Sequence, residues 1–181
     1  ALEKGMHAVT ANKGPVVHRF TELNQLAREK GKQFRFESTV MDGAPIFSLH
    51  RSTLPGAELL GFTGILNSCT NLLLERMESG ESLDEAVKYG ASIGITETDP
   101  SGDIDGWDAS IKVAALSTVL MGIPLKPQDV EREGIRSITP AMLAEAKQAG
   151  ERWKLVCRAR RTAGGIQASV KPERVSSGSP L

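Results

Sequence analysis

The chain has 181 residues, enough for one domain with a buried core. Its 22 basic residues balance 22 acidic ones, and its apolar fraction of 40% is ordinary for a soluble globular protein. A neutral chain with only short basic runs has no electrostatic reason to bind nucleic acid or anionic lipid, and no apolar run is long enough to span a bilayer.

The first fifty residues predict a strand, a helix and then a hairpin. Residues 6–10 form a short apolar run typical of a buried strand, and the apolar spacing over residues 16–30 predicts a helix. Residues 34–40 alternate with period two, Asp42-Gly43 is typical of a turn, and residues 45–50 complete the predicted hairpin.

The rest of the chain predicts a third strand, a run of helices and two late strands. Ser82 and Glu85 form a capping box, so a helix begins at Ser82. Thr139 followed by Pro140 is typical of another helix start. The predicted segments are a strand at 58–65, helices at 71–77, 107–122 and 139–150, strands at 153–159 and 165–170, a polar loop at 96–106 and a loop from 172 onward.

This order of elements predicts an α+β fold. Strands cluster early and late with helices between them, which favours a mixed, largely antiparallel sheet with helices packed on one face. The other face of such a sheet needs a cover, and a second copy of the chain is the simplest one. We therefore expect a homodimer.

An acidic segment is the most informative part of the sequence. Five carboxylates and no basic residue lie within residues 96–108, and such a cluster is typical of a site for a metal ion, an ammonium group or a lysine. In the apolar helix that follows, Asp108 and Lys112 lie one turn apart. This pair is either a structural ion pair or part of a reactive site. A calcium loop is disfavoured, because its pattern would put Lys112 at the position of an acidic ligand.

Residues 97–112, with the sequence ETDPSGDIDGWDASIK, resemble the signature of homoserine dehydrogenases. Residues 9–13 (VTANK), 36–40 (FESTV) with Pro45-Ile46, and 64–67 (GILN) with Thr70-Asn71 are similar to other segments of that family, in the same order. The runs around residues 134–139 and 153–155 also agree. The resemblance covers nearly the whole chain.

The resemblance implies a reversible hydride transfer between L-homoserine and L-aspartate 4-semialdehyde with NAD or NADP, in threonine and methionine biosynthesis. It implies that Lys112 is the general acid/base and that Lys13 acts beside both substrate and nicotinamide. Glu97 and Asp108 would bind the substrate ammonium group with support from Asp103, and Gly94 would pass close to the cofactor. The family also implies a sodium ion held mainly by backbone carbonyls, at positions matching Glu37, Val40, Asp42 and Ala44.

The resemblance also divides the chain into three parts. Residues 1–13 match the end of a nucleotide-binding domain, residues 14–171 a catalytic and dimerisation domain, and residues 172–181 a segment leading back toward the first domain. No G-x-G-x-x-G fingerprint follows a strand in the chain. We therefore expect a fragment of a longer enzyme that binds cofactor poorly and has no turnover alone.

Two alternatives remain open. Ser68 and Cys69 stand where the family usually has glycine and threonine, and Ser68-Cys69-Thr70 followed by Asn71 resembles the nucleophile segment of phosphorylating aldehyde dehydrogenases. In that reading the Cys69 thiolate would form a thioester. The other alternative is a non-catalytic dimerisation module. The only two cysteines, Cys69 and Cys157, lie far apart, which indicates reduced thiols in a cytoplasmic protein rather than a disulfide framework.

Overall fold

The computed structural model describes residues 1–97 and 99–181, and it begins with a βαβ unit. A short 3-10 helix at Leu2–Lys4 precedes strand β1 (Ala8–Val9), and helix α1 (Lys13–Glu29) leads to strand β2 (Phe34–Arg35). The two strands pair in parallel, with Ala8 opposite Phe34. The predicted first strand and first helix are therefore confirmed, and α1 is the crossover between parallel strands.

The hairpin predicted for residues 34–50 was wrong. Strand β2 ends at Arg35, and two helices follow, α2 (Ser38–Met41) and α3 (Ile46–Thr53). The Glu37 carboxylate accepts hydrogen bonds from the backbone amides of Phe47 (2.7 Å) and Ser48 (3.1 Å), two of the first amides of α3. These amides would otherwise lack partners, so Glu37 stabilises a helix where the local pattern indicated a strand.

Four strands form a second sheet in the order β3, β5, β6, β4. They are β3 (Gly61–Gly64), β4 (Glu131–Arg132), β5 (Glu151–Thr162) and β6 (Gly165–Ser176). The β3–β5 and β5–β6 pairs are antiparallel and β4–β6 is parallel, which confirms the mixed, largely antiparallel sheet. Because β6 continues to Ser176, the loop predicted from residue 172 onward was wrong.

The remaining helices lie between β3 and β5 in the chain. They are α4 (Ser68–Glu78), α5 (Leu83–Ser92), α6 (Ser101–Ile104), α7 (Trp107–Leu120) and α8 (Pro140–Gln148), with a 3-10 helix at Pro127–Asp129. The Ser82–Glu85 capping box and the Thr139 cap are both formed. Helix α6 lies inside the segment predicted as a loop; Thr98 of that segment lies outside the described residues.

Helix α7 runs through the core, as its apolar sequence indicates. Ala109, Val113 and Ala114 are fully buried, and the helix contacts α1, β5 and β6. On β5, Leu155, Cys157 and Ala159 are buried against the core, whereas Arg158 and Arg160 are exposed. No helix in the described part of the chain is long and apolar enough to cross a membrane.

Candidate active site

Two lysines and one carboxylate, Lys112, Lys13 and Asp108, form the centre of the candidate site, called the Asp108 centre below. The Lys112 ammonium lies 2.9 Å from Oδ2 of Asp108 and donates a hydrogen bond to the backbone carbonyl of Leu66 at 2.8 Å. The other carboxylate oxygen, Oδ1, lies 3.2 Å from the Lys13 ammonium at the start of α1. The side chains are largely buried, with exposed fractions of 17% for Lys112 and 24% for Asp108. Asp108 therefore holds two cations from different helices at the edge of the core.

Asn67 joins this centre to a second carboxylate. Its side-chain nitrogen donates to Asp103 at 2.6 Å and to Asp108 at 3.0 Å. Sequence reasoning found Asp103, Asp108, Lys112 and Lys13 but missed Asn67. The available signal was its position directly before α4, where an asparagine is typical of a helix cap.

The surroundings of Asp108 favour its charged form. Burial of the carboxylate is the largest single influence and acts to raise its pKa. The hydrogen bond and charge of Lys112, the Asn67 amide and the charge of Lys13 together outweigh burial, so the pKa of Asp108 lies below its ordinary value. The site thus contains a carboxylate that stays ionised at neutral pH beside an ammonium donor.

The acidic segment is held in place by β4 and the residues that follow it. The Ile135 amide donates to the carbonyl of Ile104 at 2.9 Å, and Arg136 forms an ion pair with Asp105 at 2.5 Å. Arg132 donates to the Asp105 carbonyl and stacks on the Trp107 ring. Because Trp107 begins α7, these contacts also fix the helix that carries Asp108 and Lys112.

Glu97 and Gly94 lie on the segment that follows α5. Glu97 is exposed, and among the described residues it makes no hydrogen bond or ion pair with the Asp108 centre. Gly94 has φ +74°, and its amide donates to the Ala91 carbonyl at the end of α5. This left-handed conformation is by itself a reason for glycine, separate from any approach to a cofactor.

Cys69 has the surroundings of a structural thiol. It is 4% exposed, and burial raises its pKa to about 11; the nearby charges of Asp103 and Asp108 act in the same direction. A thioester-forming cysteine needs a lowered pKa, so this environment argues against the phosphorylating aldehyde dehydrogenase alternative.

The positions matched to a sodium site lie on α2 and the turn after it. Among the described residues, Asp42 is the non-glycine residue with positive φ (45°). The carbonyl of Ala44, two residues later, accepts a hydrogen bond from the Ile46 amide at 2.8 Å. The Glu37 carboxylate is engaged with α3, and Val40 is buried. The described residues contain no group of three His, Cys, Asp or Glu side chains that could hold a metal ion.

A cavity of about 570 Å³ opens beside Lys13. Its walls include Lys13 itself, Val17 on α1, and Trp107 and Ile111 on α7. A larger cavity of about 880 Å³ lies between α1, α3 and the end of α7, away from the two lysines. The smaller cavity therefore combines apolar walls with a cation of the Asp108 centre, which suits a flat, polar-edged ligand.

This arrangement matches a known enzyme family. The family model described as homoserine dehydrogenase matches residues 45–181. The NAD(+)-dependent homoserine dehydrogenase of Pseudomonas canavaninivorans is 40% identical over 182 residues, which cover 100% of this chain and 52% of the relative. The homoserine dehydrogenase of Pyrococcus horikoshii is 38% identical, again over 100% of this chain and 52% of the relative.

Solved structures give the same match. The crystal structure of a homoserine dehydrogenase from Thiobacillus denitrificans has a TM-score of 0.90 at 33% identity, covering 99% of this chain and 42% of that one. A hyperthermophilic archaeal homoserine dehydrogenase in complex with NADPH has a TM-score of 0.83 at 38% identity, covering 100% and 52%. The chain spans about half the length of the curated relatives it matches. It belongs to the homoserine dehydrogenase family.

Proposed function

We propose that the full-length protein interconverts L-homoserine and L-aspartate 4-semialdehyde with NAD or NADP, in the biosynthesis of threonine and methionine. The observation that carries this proposal is the Lys112 ammonium, held between Asp108 and the Leu66 carbonyl at the edge of the core. Membership of the family supports the reaction, and the position of Lys112 supports the proposal that this residue moves the proton.

The chemistry assigns a role to each charged group. When bound, the nicotinamide cofactor donates a hydride to the aldehyde carbon or accepts one from the alcohol. Lys112 donates a proton from Nζ to the aldehyde oxygen as it becomes an alkoxide, and its charge stabilises that oxygen. In the reverse direction the same nitrogen accepts the hydroxyl proton. Asp108 keeps the nitrogen oriented through their ion pair.

The carboxylates of the acidic segment suit a substrate with an ammonium group. We propose that Glu97 and Asp108 bind that group, since charge-assisted hydrogen bonds to carboxylates are strong and directional. Asp103 supports Asp108 through the shared Asn67 amide. The exposure of Glu97 leaves its carboxylate available to a ligand.

The cavity beside Lys13 is the proposed place for the nicotinamide ring. Its volume of about 570 Å³ lies within the usual range of ligand pockets, and Trp107, Ile111 and Val17 offer apolar walls for a flat ring. Lys13 would lie near both cofactor and substrate, and Gly94 near the cofactor. The relative in complex with NADPH supports a dinucleotide for this family.

We propose the same three-part organisation as the sequence predicted. A two-stranded parallel sheet is marginal alone, so we expect β1 to belong to a larger sheet of the nucleotide-binding domain that ends around residues 1–13, with β2 of the following domain paired to it. Residues 14–171 form the catalytic and dimerisation domain, and residues 172–181 lead back. The homodimer and a cytoplasmic location stay predictions.

The sodium ion also stays a prediction, with weaker support. Carbonyls of Glu37, Val40, Asp42 and Ala44 would hold it, but the Ala44 carbonyl already accepts one hydrogen bond. Replacing sodium by potassium in the assay of the full-length enzyme tests this prediction. If the site binds sodium, the exchange should lower the activity or the affinity for substrate.

Turnover by the full-length protein tests the proposed function. Purified enzyme with L-homoserine should reduce NAD or NADP, measured at 340 nm, without inorganic phosphate. Activity that depends on phosphate and is lost in Cys69→Ala would instead support the thioester alternative. Full-length protein that dimerises but does not oxidise homoserine with either cofactor would support the non-catalytic module. We expect no turnover from residues 1–181 alone.

A further inference from the structure

The junction between β3 and α4 contacts every charged group of the Asp108 centre except Lys13. Leu66 accepts a hydrogen bond from Lys112, and the next residue, Asn67, donates to both Asp103 and Asp108. Asn67 is 5% exposed, although it carries a polar amide. A polar side chain buried to this degree is expected to have a defined set of partners.

The orientation of the Asn67 amide is fixed by its role as a helix cap. Its oxygen accepts hydrogen bonds from the Thr70 backbone amide at 2.8 Å and the Thr70 hydroxyl at 3.0 Å. Since a backbone amide can only donate, the atom facing Thr70 is the oxygen. The nitrogen therefore faces the two carboxylates, and both of its hydrogens have an acceptor.

Removing these two hydrogens would leave two adjacent carboxylates without a shared donor. Asp108 is compensated by Lys112 from α7 and Lys13 from α1. Asp103, on α6, has Asn67 as its side-chain partner among the described residues. The other titratable groups facing the pair are the thiols of Cys69 on α4 and Cys157 on β5, both buried. Among the described residues, no cation other than Lys112 and Lys13 forms an ion pair with either carboxylate.

We propose that Asn67 is a positioning residue of the active site, whose amide holds the carboxylates of Asp103 and Asp108 side by side so that Asp108 presents one fixed oxygen to Lys112. Asn67 acts through these acids and does not itself exchange a proton. The kinetic consequence rests on the proposed function, whereas the effect on the two carboxyl groups does not.

The substitution Asn67→Asp in the full-length enzyme separates this role from helix capping. Aspartate caps a helix as well as asparagine does, so α4 keeps its bonds from Thr70. The variant loses both donor hydrogens and adds a negative charge facing Asp103 and Asp108, which raises the pKa of Asp108. We expect kcat to fall about 100-fold, as for a displacement of about 1 Å in a reacting group, with a much smaller change in KM.

The pH profile is the readout that a purely structural role would not change. The acid limb of kcat/KM should move upward by about one pH unit in Asn67→Asp and by less in Asn67→Ser, which removes the amide nitrogen with its two hydrogens but adds no charge. Asn67→Ser also retains an oxygen that can cap α4, so it replaces the aspartate variant in this experiment if that variant does not fold. Asn24→Asp, an equivalent change on α1 where the amide donates only to the Phe20 carbonyl, should leave both kcat and the limb unchanged.

A 13C NMR titration of aspartate carboxyl groups in the full-length protein gives a readout independent of turnover. The Asp108 resonance should titrate at higher pH in both Asn67 variants than in the wild type, because the Asn67 hydrogen bond is one of the contacts that lower its pKa. Unchanged carboxyl titrations in folded variants would overturn the proposal. Wild-type protein that does not oxidise homoserine but shows the expected carboxyl shifts would contradict the proposed function and leave the role of Asn67 supported.

Discussion

A single methyl group at Gly134 tests whether the acidic segment is held in place by the residues after β4. An ideal Cβ at Gly134 would lie 2.3 Å from the Ile104 carbonyl oxygen and 2.6 Å from the Cα of Asp105. Unstrained contacts between carbon and a carbonyl oxygen are about 3.3–3.6 Å. In Gly134→Ala the two segments must therefore separate by about 1 Å, which also stretches the hydrogen bond from Ile135 to Ile104.

The displacement should lower both stability and activity. Forcing an extra carbon into a packed site costs about 1–3 kcal/mol, and each kcal/mol lowers Tm by about 2–4 °C in a protein of this size. Asp105 lies between Asp103 and the start of α7, so a shift there also displaces Asp103 and Asp108. A misplacement of about 1 Å in reacting groups can reduce the rate about 100-fold.

Gly102→Ala provides a matched control within the same acidic segment. A Cβ at Gly102 meets no atom within 4 Å, so this variant should keep the wild-type Tm and kcat/KM or gain slightly in stability. Calorimetry and homoserine oxidation by the two full-length variants make the comparison. A Gly134→Ala enzyme as stable and as active as Gly102→Ala would refute the reasoning.

Three further predictions concern other side chains. First, the free-energy difference of unfolding between wild type and Asp108→Asn should be constant from pH 8 to about 5, because a lowered folded-state pKa contributes stability above the unfolded value of about 3.9. It should shrink as the pH falls through the folded pKa, and urea titrations showing the opposite trend would contradict this. Second, a pKa of about 11 leaves Cys69 about 100-fold less ionised than an ordinary thiol, so iodoacetamide at pH 8 should label it slowly, as followed by mass spectrometry. Rapid stoichiometric labelling of the folded protein would be the contrary result. Third, Glu37→Gln should destabilise the protein by about 0.5–2 kcal/mol in urea unfolding, since it removes a charged acceptor from the N-terminus of α3. A difference indistinguishable from zero would remove the capping role.

The features that the sequence predicted correctly depend on residues that lie close together in the chain. Asp108 and Lys112 share a face because they lie one turn apart, and the structure contains their ion pair at 2.9 Å. The capping box at Ser82 likewise depends on residues three apart. Helix α7 was predictable because, apart from Asp108 and Lys112, it is apolar almost all round, which favours burial.

Contacts between residues far apart in the chain could not be predicted from such local patterns. Asn67 is 36 residues from Asp103 and 41 from Asp108, and they meet because α4 packs against α6, which in turn contacts α7. The hairpin prediction failed for the same reason, since the acceptor that caps α3 comes from Glu37, ten residues before Phe47. Without that contact, residues 45–50 are too short to tell a strand from a helix. The left-handed conformation of Gly94 shows that a glycine expected beside a cofactor also has a local backbone reason.

The substitution Lys112→Met in the full-length enzyme tests the central role of the ammonium group most directly. Methionine retains much of the apolar stem and removes the charge and the proton, whereas Lys154→Met removes a lysine that donates to Asn71 outside the Asp108 centre. Both kcat values are measured for homoserine oxidation at saturating cofactor. The account predicts a 10²- to 10⁴-fold loss of kcat in folded Lys112→Met, as for removal of a general acid/base, and near wild-type kcat in Lys154→Met. A Lys112→Met enzyme within a few fold of wild type would contradict it.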